Sequence, residues 1–327
     1  MSKQECVLKK TSIGGQALIE GVMMRGPERT AMAVRHTSGE IRMEEWETAK
    51  SKLPAICKWP IIRGVFGMID SLRIGYKCLM RSAELSGIEE ELEDALDEEQ
   101  SKKADDSKKK ADNKKKASTL MNIVMVVGMV LGVALSLVLF MWLPIQLFTW
   151  LTMAFPGLEN STFRGIFEGV VRILVFLIYM LAVSRMKDIR RTFQYHGAEH
   201  KSIFCYEKGL PLTVENVRQQ SRFHPRCGTS FMVLMLVVGI IISILIPIKT
   251  PILRTVIKLA LLPLTVGIGY ELIKLAGRCD NWFTRFISAP GVWMQRITTQ
   301  EPDDDMIECA IKALEAVIPA DPEADKW

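Results

Sequence analysis

Long apolar runs alternate with strongly charged segments along this chain. No charged residue lies between Lys116 and Glu159, and the run from Leu120 to Leu143 is almost wholly aliphatic. At about 1.5 Å of rise per helical residue, such a run is long enough to cross a hydrocarbon core of about 30 Å. Further apolar runs lie at about 165–184, 230–247 and 253–276. The pattern predicts a mainly α-helical membrane protein with four transmembrane helices.

The polar segments predict how the rest of the chain is organised. Residues 1–87 are expected to form a small cytoplasmic α+β unit. Residues 88–117 change from acidic to lysine-rich and have too little apolar surface to fold alone, so they are predicted to be a charged flexible linker. The transmembrane domain is predicted over 118–282, with a cytoplasmic loop at 185–229. Residues 283–327 are predicted to be an interfacial segment followed by a C-terminal cytoplasmic helix.

Local patterns predict individual elements within these segments. In the N-terminal unit, "ALIEGV" (17–22) is strand-like, "MMRGP" (23–27) is turn-like, and alternation on both sides of 37–39 predicts a hairpin. Helical spacing of apolar residues predicts a helix that starts at Pro60. Near the C-terminus, aromatic and basic residues predict an interfacial helix interrupted at Pro290–Gly291. A final helix is predicted at 301–318.

The placement of lysine and arginine predicts the orientation. Eight lysines lie within 102–116, before the first apolar run, and further basic residues follow the second and fourth runs. Because cytoplasmic loops carry the excess of basic residues, both termini are predicted to be cytoplasmic. All seven cysteines then lie on the cytoplasmic side, where thiols stay reduced. They are therefore expected to be free or metal-bound, without a disulfide framework.

The net charge and its distribution indicate which partners to expect. The net charge of +5 comes mostly from the lysine-rich segment beside the first apolar run, which favours anionic lipid headgroups. No basic surface interleaved with aromatic residues is predicted, so nucleic acid is not an expected partner. Membrane lipids are expected partners, and a membrane protein or peptide is a further candidate.

Two histidines form the most informative motif. The chain has four histidines, and His196 and His200 lie four positions apart in "YHGAEHKSIFCYEKG" (195–209). On a helix they share one face, where two neutral imidazoles can bind one metal ion such as zinc. Glu199 lies beside the second imidazole in an H-x-x-E-H pattern, where a carboxylate can act as the general base toward water.

A second motif, "FHPRCGTSF" (223–231), precedes the third apolar run. It contains His224, Arg226 and Cys227. Because the first pair follows the second run, both motifs are predicted to emerge at the same membrane face. His224 and Cys227 are therefore candidate metal ligands, and Arg226 is a further site candidate. A nucleophilic cysteine assisted by His224 is an alternative interpretation.

Three acidic residues complete the set of candidates. Glu271 lies near the cytoplasmic end of the fourth run, where an ionisable group indicates function, so it is a candidate ligand. Glu20 lies among glycines in "GGQALIEGVMMRGP" and is a candidate if this unit docks beneath the spans. The favoured interpretation is a strand with one solvent-exposed polar face. Glu168 and Arg172 are spaced i,i+4 in the second run and are predicted to satisfy each other structurally.

The motifs leave three interpretations of the histidine cluster open. The first is an interfacial hydrogen-bonding cluster without a metal. The second is a structural zinc site closed by three histidines and a cysteine. The third is a catalytic site with three protein ligands and one position for water, whose third ligand is His224, Cys227 or Glu271.

Five stretches together resemble one protein family. They are "GGQALIEGVMMRGP", "YHGAEHKSIFCYE", "HPRCGTSF", "YELIKLAG" and "APGVWMQRITTQEPDDDMIECAI". In this order they are similar to the YqhQ-like family of bacterial integral membrane proteins, across nearly the whole chain outside 88–117. The resemblance implies a multi-pass protein of the bacterial plasma membrane, and the family carries the label of predicted metal-dependent enzymes. It implies no substrate.

Three functional hypotheses follow. The first is a metal-dependent hydrolase with Zn²⁺ at the cytoplasmic membrane face, acting on a membrane-associated peptide or lipid. The second is a non-catalytic membrane scaffold or membrane-protein biogenesis factor with a structural metal site. The third is a transporter, which would require several copies of the chain to form a pathway.

Overall fold

The computed structural model describes residues 10–48, 54, 57, 59–87, 127–158, 160–246, 248, 250–278, 281–321 and 323–326. The described chain is mainly helical, with a small N-terminal antiparallel sheet. It divides into two compact units. The first unit comprises Met1–Glu89, Met180–Gly239 and Leu262–Trp327, and the second comprises Glu90–Tyr179 and Ile240–Leu261. The predicted linker at 88–117 lies outside the described residues.

Four antiparallel strands form the sheet in the order in which they occur in the chain. They are β1 (Gly14–Leu18), β2 (Gly21–Arg25), β3 (Arg29–Arg35) and β4 (Ile41–Glu47). The turn between β3 and β4 contains Gly39 at a φ of 88°, and the hairpin predicted at 37–39 is confirmed.

The first hairpin differs from its prediction. The chain turns at Ile19–Glu20, where Glu20 adopts a φ of 51°, and residues 23–25 belong to β2 and not to a turn. The reason is burial on both faces of β2. Val22 and Met24 pack into one core cluster and Met23 into another. A strand buried on both faces is a continuous apolar run without the alternation that marks a half-exposed strand.

The helices follow the sheet in chain order. They are α1 (Ile62–Ser86), α2 (Val127–Ala154), α3 (Ser161–Val183), α4 (Lys187–Glu207), α5 (Val214–Arg218), α6 (Gly228–Ile244), α7 (Pro251–Ala260), α8 (Leu262–Arg278), α9 (Trp282–Thr298) and α10 (Asp304–Glu315). The helices predicted from Pro60 and over 301–318 are present as α1 and α10.

Helices cover both faces of the sheet in the first unit. On one face, Val22 and Ala33 pack with Ala198 of α4 and Leu314 of α10. On the other face, Leu18 and Met32 pack with Cys78 of α1. Burial of these apolar side chains fixes α4 against the sheet, which determines where the histidine motif lies.

Helix α9 continues through Pro290, so the predicted interruption there is wrong. An Asn281–Thr284 capping box fixes the start of α9. Gly291 packs so closely on α6 that an added Cβ would lie 2.5 Å from the Cα of Ser230. Tertiary packing of this kind outweighs the hydrogen bond that a proline removes from a helix.

Within the described residues, two helices are long and apolar enough to span a membrane by length and composition, Val127–Ala154 and Thr162–Val183. A third candidate is the broken pair Ile252–Ala260 and Leu262–Ala276, if the pair counts as one span. The run predicted at 230–247 forms the shorter α6, whose 17 residues extend over about 26 Å. The apolar helices support membrane association, while four transmembrane helices are not confirmed.

Candidate metal centre

The histidine motif lies on one continuous helix, as its spacing predicts. His196 and His200 lie on one face of α4, with their ring centroids 4.4 Å apart. Gly197, between them, faces the backbone carbonyl of Gln300 where a side chain would not fit. This close approach fixes α4 against the segment that follows α9.

Cys227 joins the two histidines from the loop before α6. Its Sγ lies 3.1 Å from Nε2 of His196. One ligand atom from each of His196, His200 and Cys227 falls within 4.8 Å of the others. The structure therefore brings together three of the predicted ligands, from two segments that are distant in sequence.

The second nitrogen of each ring is held by a backbone carbonyl. His196 Nδ1 lies 2.9 Å from the Thr298 carbonyl oxygen, and His200 Nδ1 lies 2.6 Å from that of Arg222. Because a carbonyl only accepts, each Nδ1 must carry the proton and donate it. In a neutral imidazole the lone pair is then on Nε2, the arrangement found in metal-binding histidines whose other nitrogen is held by a backbone group.

Two buried polar atoms at the site have no hydrogen-bond partner within the described part of the chain. They are Nε2 of His200 and Oε2 of Glu199. A buried polar atom without a partner costs free energy, and a bound ion would remove that cost. Two imidazoles and a thiolate are the donor set that zinc prefers, so the residues present fit this metal.

Glu199 occupies the space beneath the edge strand of the sheet. Its carboxyl group faces the backbone of Gly15 in β1. A Cβ added to Gly15 would lie 2.8 Å from both Cγ and Cδ of Glu199. The glycine in β1 therefore makes room for the carboxylate beside the two histidines.

Burial and mutual attraction set the charges of the cluster. Burial raises the pKa of Glu199, against the opposing effect of His196 and His200. Burial would also raise the pKa of Cys227, but the two histidines outweigh it and hold this pKa well below its ordinary value. Burial lowers the pKa of His196, but attraction to Cys227 outweighs this and raises it to about 9. Cys227 is therefore predisposed to the thiolate form that binds metal.

His224 lies next to the cluster without joining it. Its ring centroid is 5.6 Å from that of His200, yet its Nε2 faces Glu207 at 3.5 Å. Glu207 also pairs with Arg226, the further candidate from the same motif. His224 and Arg226 therefore belong to a second polar group, built around the buried Glu207.

A glutamine that the sequence did not indicate holds the loop in place. Gln295 of α9 is fully buried. Its Oε1 accepts from the His224 backbone amide at 2.7 Å, and its Nε2 donates to the His224 carbonyl at 2.7 Å. This two-bond clamp fixes the loop that provides both Cys227 and the Arg222 carbonyl.

Residues from both ends of the described chain meet beside the second polar group. The Thr11 hydroxyl donates to Asp325 at 2.8 Å, and the Tyr206 hydroxyl donates to the same carboxylate at 2.8 Å. Arg226 donates to the Thr11 carbonyl oxygen at 2.9 Å. We call Thr11, Tyr206, Arg226 and Asp325 the terminal clasp.

The remaining candidates lie in other contacts. Glu271 pairs with Arg63 and accepts from the Ile61 backbone amide, and it is not a member of the three-residue ligand group. Glu20 pairs with Arg191 of α4. Both carboxylates thus tie elements together within the first unit.

Comparison with known proteins gives a family without an assigned activity. Residues 59–320 match the model of the family described as "Protein of unknown function (DUF1385)". A protein of Bacillus subtilis (strain 168), described as "Uncharacterized protein YqhQ", is 33% identical over 307 residues, which cover 93% of this chain and 92% of that protein. No solved structure matches the chain.

Proposed function

We propose that this chain, which belongs to the DUF1385 family, is a membrane protein that binds a divalent metal, with zinc favoured, through His196, His200 and Cys227. The observation that supports this most is the pair of Nδ1 contacts to backbone carbonyls, which direct both Nε2 atoms toward Cys227. A purely hydrogen-bonded cluster would not leave Nε2 of His200 buried without a partner among the described residues.

We further propose that the site is that of a metal-dependent hydrolase. When bound, zinc supplies Lewis acidity that activates water. Glu199 would act as the general base, since it is buried next to His200 in sequence and its Oε2 has no hydrogen-bond partner among the described residues. A membrane-associated peptide or lipid is the proposed substrate class, because the same chain contains apolar helices of membrane-spanning length.

A non-catalytic scaffold or biogenesis factor with a structural metal is the second candidate. The burial of the cluster favours it, because His200 is 2% exposed and Cys227 8% exposed. In this candidate a fourth protein ligand would close the coordination sphere and leave no position for water.

Metal analysis of purified protein tests whether the site exists. Wild type is expected to carry close to one equivalent of zinc, while His196→Ala and Cys227→Ser lose it. His36→Ala is the matched control, because His36 lies in the β3–β4 turn and contacts Ser38. Retention of metal by His196→Ala and Cys227→Ser would overturn the proposal.

Glu199→Gln separates the two candidates. Zinc-loaded wild type and variant are incubated with bacterial membrane lipids and membrane-protein peptides, and new products are followed by mass spectrometry. A hydrolase forms products that the variant lacks although it keeps the metal. A structural site keeps the metal and forms no products in either case.

The proposal places the protein in the bacterial plasma membrane with four crossings and both termini in the cytoplasm. Its support is the asymmetry of lysine and arginine along the sequence, together with the apolar helices. The metal centre would then lie at the cytoplasmic face, where thiols stay reduced.

A further inference from the structure

The charged side chains within the apolar helices of the second unit contact one another or the backbone. The buried Glu168 pairs with Arg164, Arg254 and Lys258. Arg172, which the spacing predicts as the partner of Glu168, instead donates to a backbone carbonyl of α2 at 2.9 Å. In the first unit, by contrast, several polar side chains line an open cleft.

The cleft lies between the sheet and α1 and has a volume of about 300 Å³. One wall is formed by β1 and β2, where the register pairs Gly14 with Arg25 and places both on the face that also carries Gln16. The opposite wall is α1, with Ser71 and Ile74. A volume at the lower end of the usual range for ligand sites suits a molecule of about amino-acid size.

Contacts between the hairpin and α1 set the bounds of the cleft. Gln16 packs so closely on α1 that a Cβ added to Gly75 would lie 2.4 Å from its Oε1. Arg25 reaches across to α1, where Nη1 and Nη2 each lie 3.3 Å from Oδ2 of Asp70. A Cβ added to Gly14, however, would meet nothing within 4 Å. Part of the open space therefore lies over Gly14, where β1 has no side chain.

The polar groups that line the cleft are available to a ligand. The side chains of Ser12, Gln16 and Ser71 form no hydrogen bond with another described residue. Among the described residues, the lining contains one charged side chain, Arg25, which is 32% exposed. Its partner Asp70 is 52% exposed. Because such an exposed ion pair contributes little stability, the guanidinium can exchange this carboxylate for that of a ligand.

We propose that the cleft binds a small organic carboxylate, either a free acid or the C-terminal residue of a peptide. The guanidinium of Arg25 matches a carboxylate with paired N–H donors, and one cation balances one negative charge. The hydroxyl groups of Ser12 and Ser71 supply further donors. Met23 and Ile74 provide apolar contact for the rest of the ligand.

The cleft is separate from the proposed metal centre, although the two are neighbours. The backbone of Gly15 lines the cleft, and the carboxyl group of Glu199 approaches the same glycine in the direction that its side chain would take. Because side chains alternate along a strand, this direction is opposite to that of Gly14 and Gln16. The cleft therefore contains none of the proposed metal ligands, and binding of the acid is expected with and without zinc.

Ligand-detected NMR of the full chain in detergent tests the site with N-acetyl-leucine and its uncharged counterpart N-acetyl-leucinamide. We expect the acid to bind with a Kd of about 1 mM or below and the amide to bind at least about tenfold more weakly, because it lacks the charge. Both titrations are repeated after zinc has been removed with a chelator, and the same result is expected. Binding of the acid that disappears on chelation would assign it to the metal and overturn the proposal.

Variants of the cleft sharpen the test. Arg25→Gln should weaken binding of the acid by about tenfold or more, and Asp70→Asn should strengthen it, because a competing carboxylate is removed. Gly14→Leu should fill the cleft and abolish binding while the unfolding temperature is kept, since this position is exposed. Arg29→Gln removes a cation of β3 that is 65% exposed and should change nothing.

The acid 4-methylpentanoate, which lacks the acetamido group of N-acetyl-leucine, separates the two sources of the carboxylate. The amide of Gln16 can donate to and accept from a peptide group, so tighter binding of N-acetyl-leucine indicates a peptide C-terminus. Binding of 4-methylpentanoate that is equal or tighter indicates a free acid.

Four results would overturn the proposal besides the chelation result. They are failure of both acids to bind wild type at concentrations up to about 10 mM, equal binding of N-acetyl-leucine and N-acetyl-leucinamide, an equal loss in Arg29→Gln and Arg25→Gln, and an equal loss in Asp70→Asn and Arg25→Gln. The last would mean that the Arg25–Asp70 pair acts only through the structure. If a variant fails to fold, the measurements on wild type decide the matter.

Discussion

At the residue scale, two adjacent glycines in β1 differ in what surrounds them. A Cβ on Gly15 would lie 2.8 Å from the Glu199 side chain and from the Met23 carbonyl oxygen, whereas a Cβ on Gly14 would meet nothing within 4 Å. A glycine that provides space for a neighbour is sensitive to the addition of a single methyl group.

We therefore predict that Gly15→Ala destabilises the first unit by about 1–3 kcal/mol, because the added methyl group displaces Glu199 or the strand. Gly14→Ala is the matched control and should change stability by only a few tenths of that amount. Thermal unfolding of both variants measures the difference. Equal stability of Gly15→Ala and Gly14→Ala would contradict the close approach seen at Gly15.

A second prediction concerns acid stability. Burial would raise the pKa of Glu207, but the neighbouring His224 ring and the paired Arg226 outweigh it and hold this pKa below its ordinary value of 4.5. A depressed pKa means that the ionised carboxylate stabilises the fold above about pH 4.5. That stabilisation is lost as the pH falls further through the pKa of the folded state.

Glu207→Gln should accordingly lower stability at neutral pH by about 3–5 kcal/mol, since it leaves Arg226 buried without its charge partner. Its unfolding free energy should also depend less on pH below about 4.5. Denaturant unfolding at a series of pH values measures both effects. Glu315→Gln, at an exposed position, serves as the control. If the unfolding free energy of Glu207→Gln depends on pH as strongly as that of wild type, Glu207 is not the group responsible.

The sequence predicted much of the site at this scale. His196 and His200 came from spacing alone, because an i,i+4 pair on a helix must share one face. Cys227 was one of three candidates for the third ligand, together with His224 and Glu271. The separate roles of His224 and Glu271 were not predictable, since each depends on a partner distant in sequence, Glu207 in one case and Arg63 in the other.

At the element scale, α9 holds the loop that completes the site. Gln295 forms hydrogen bonds with both the backbone amide and the backbone carbonyl of His224. The Thr298 carbonyl, at the end of the same helix, accepts from Nδ1 of His196. Supporting groups of this kind orient metal ligands and tune their affinity.

We predict that Gln295→Leu keeps the fold but lowers zinc affinity about 10- to 100-fold, because the loop loses its clamp. It should also cost about 1–3 kcal/mol of stability, since the His224 backbone groups lose buried partners. Competition with a metal chelator measures the affinity. Gln219→Leu, at an exposed position in the same connecting segment, is the control; equal zinc affinity in the two variants would exclude a role for the clamp.

Sequence patterns predicted elements well where one face is exposed and less well where both faces are buried. The helix from Pro60 and the 37–39 hairpin have one polar face, which gives a clear period. Strand β2 is buried on both faces, so its boundaries were wrong. Helix α9 passes through Pro290 because of contacts with α6 that no local pattern contains.

At the scale of the whole molecule, orientation in the membrane remains a prediction. Reporter fusions test it directly. Green fluorescent protein at either terminus should fluoresce in the cytoplasm, and alkaline phosphatase placed after Leu158 or Ile248 should be active outside it. These expectations rest on the distribution of lysine and arginine. An active phosphatase fused to the C-terminus would mean that this terminus lies outside, which would contradict the predicted orientation.

The terminal clasp has a consequence for the order in which the molecule forms. Thr11 leaves the ribosome 314 residues before Asp325, yet the two are hydrogen-bonded to each other, and they contact Arg226 and Tyr206 respectively. Contacts between such distant positions close late, after the chain has lost the entropy of a very long loop. During translation, the apolar helices are therefore synthesised before the first unit is complete. A nascent chain stalled before residue 325 should expose the neighbourhood of Glu207 to proteases that the released protein resists.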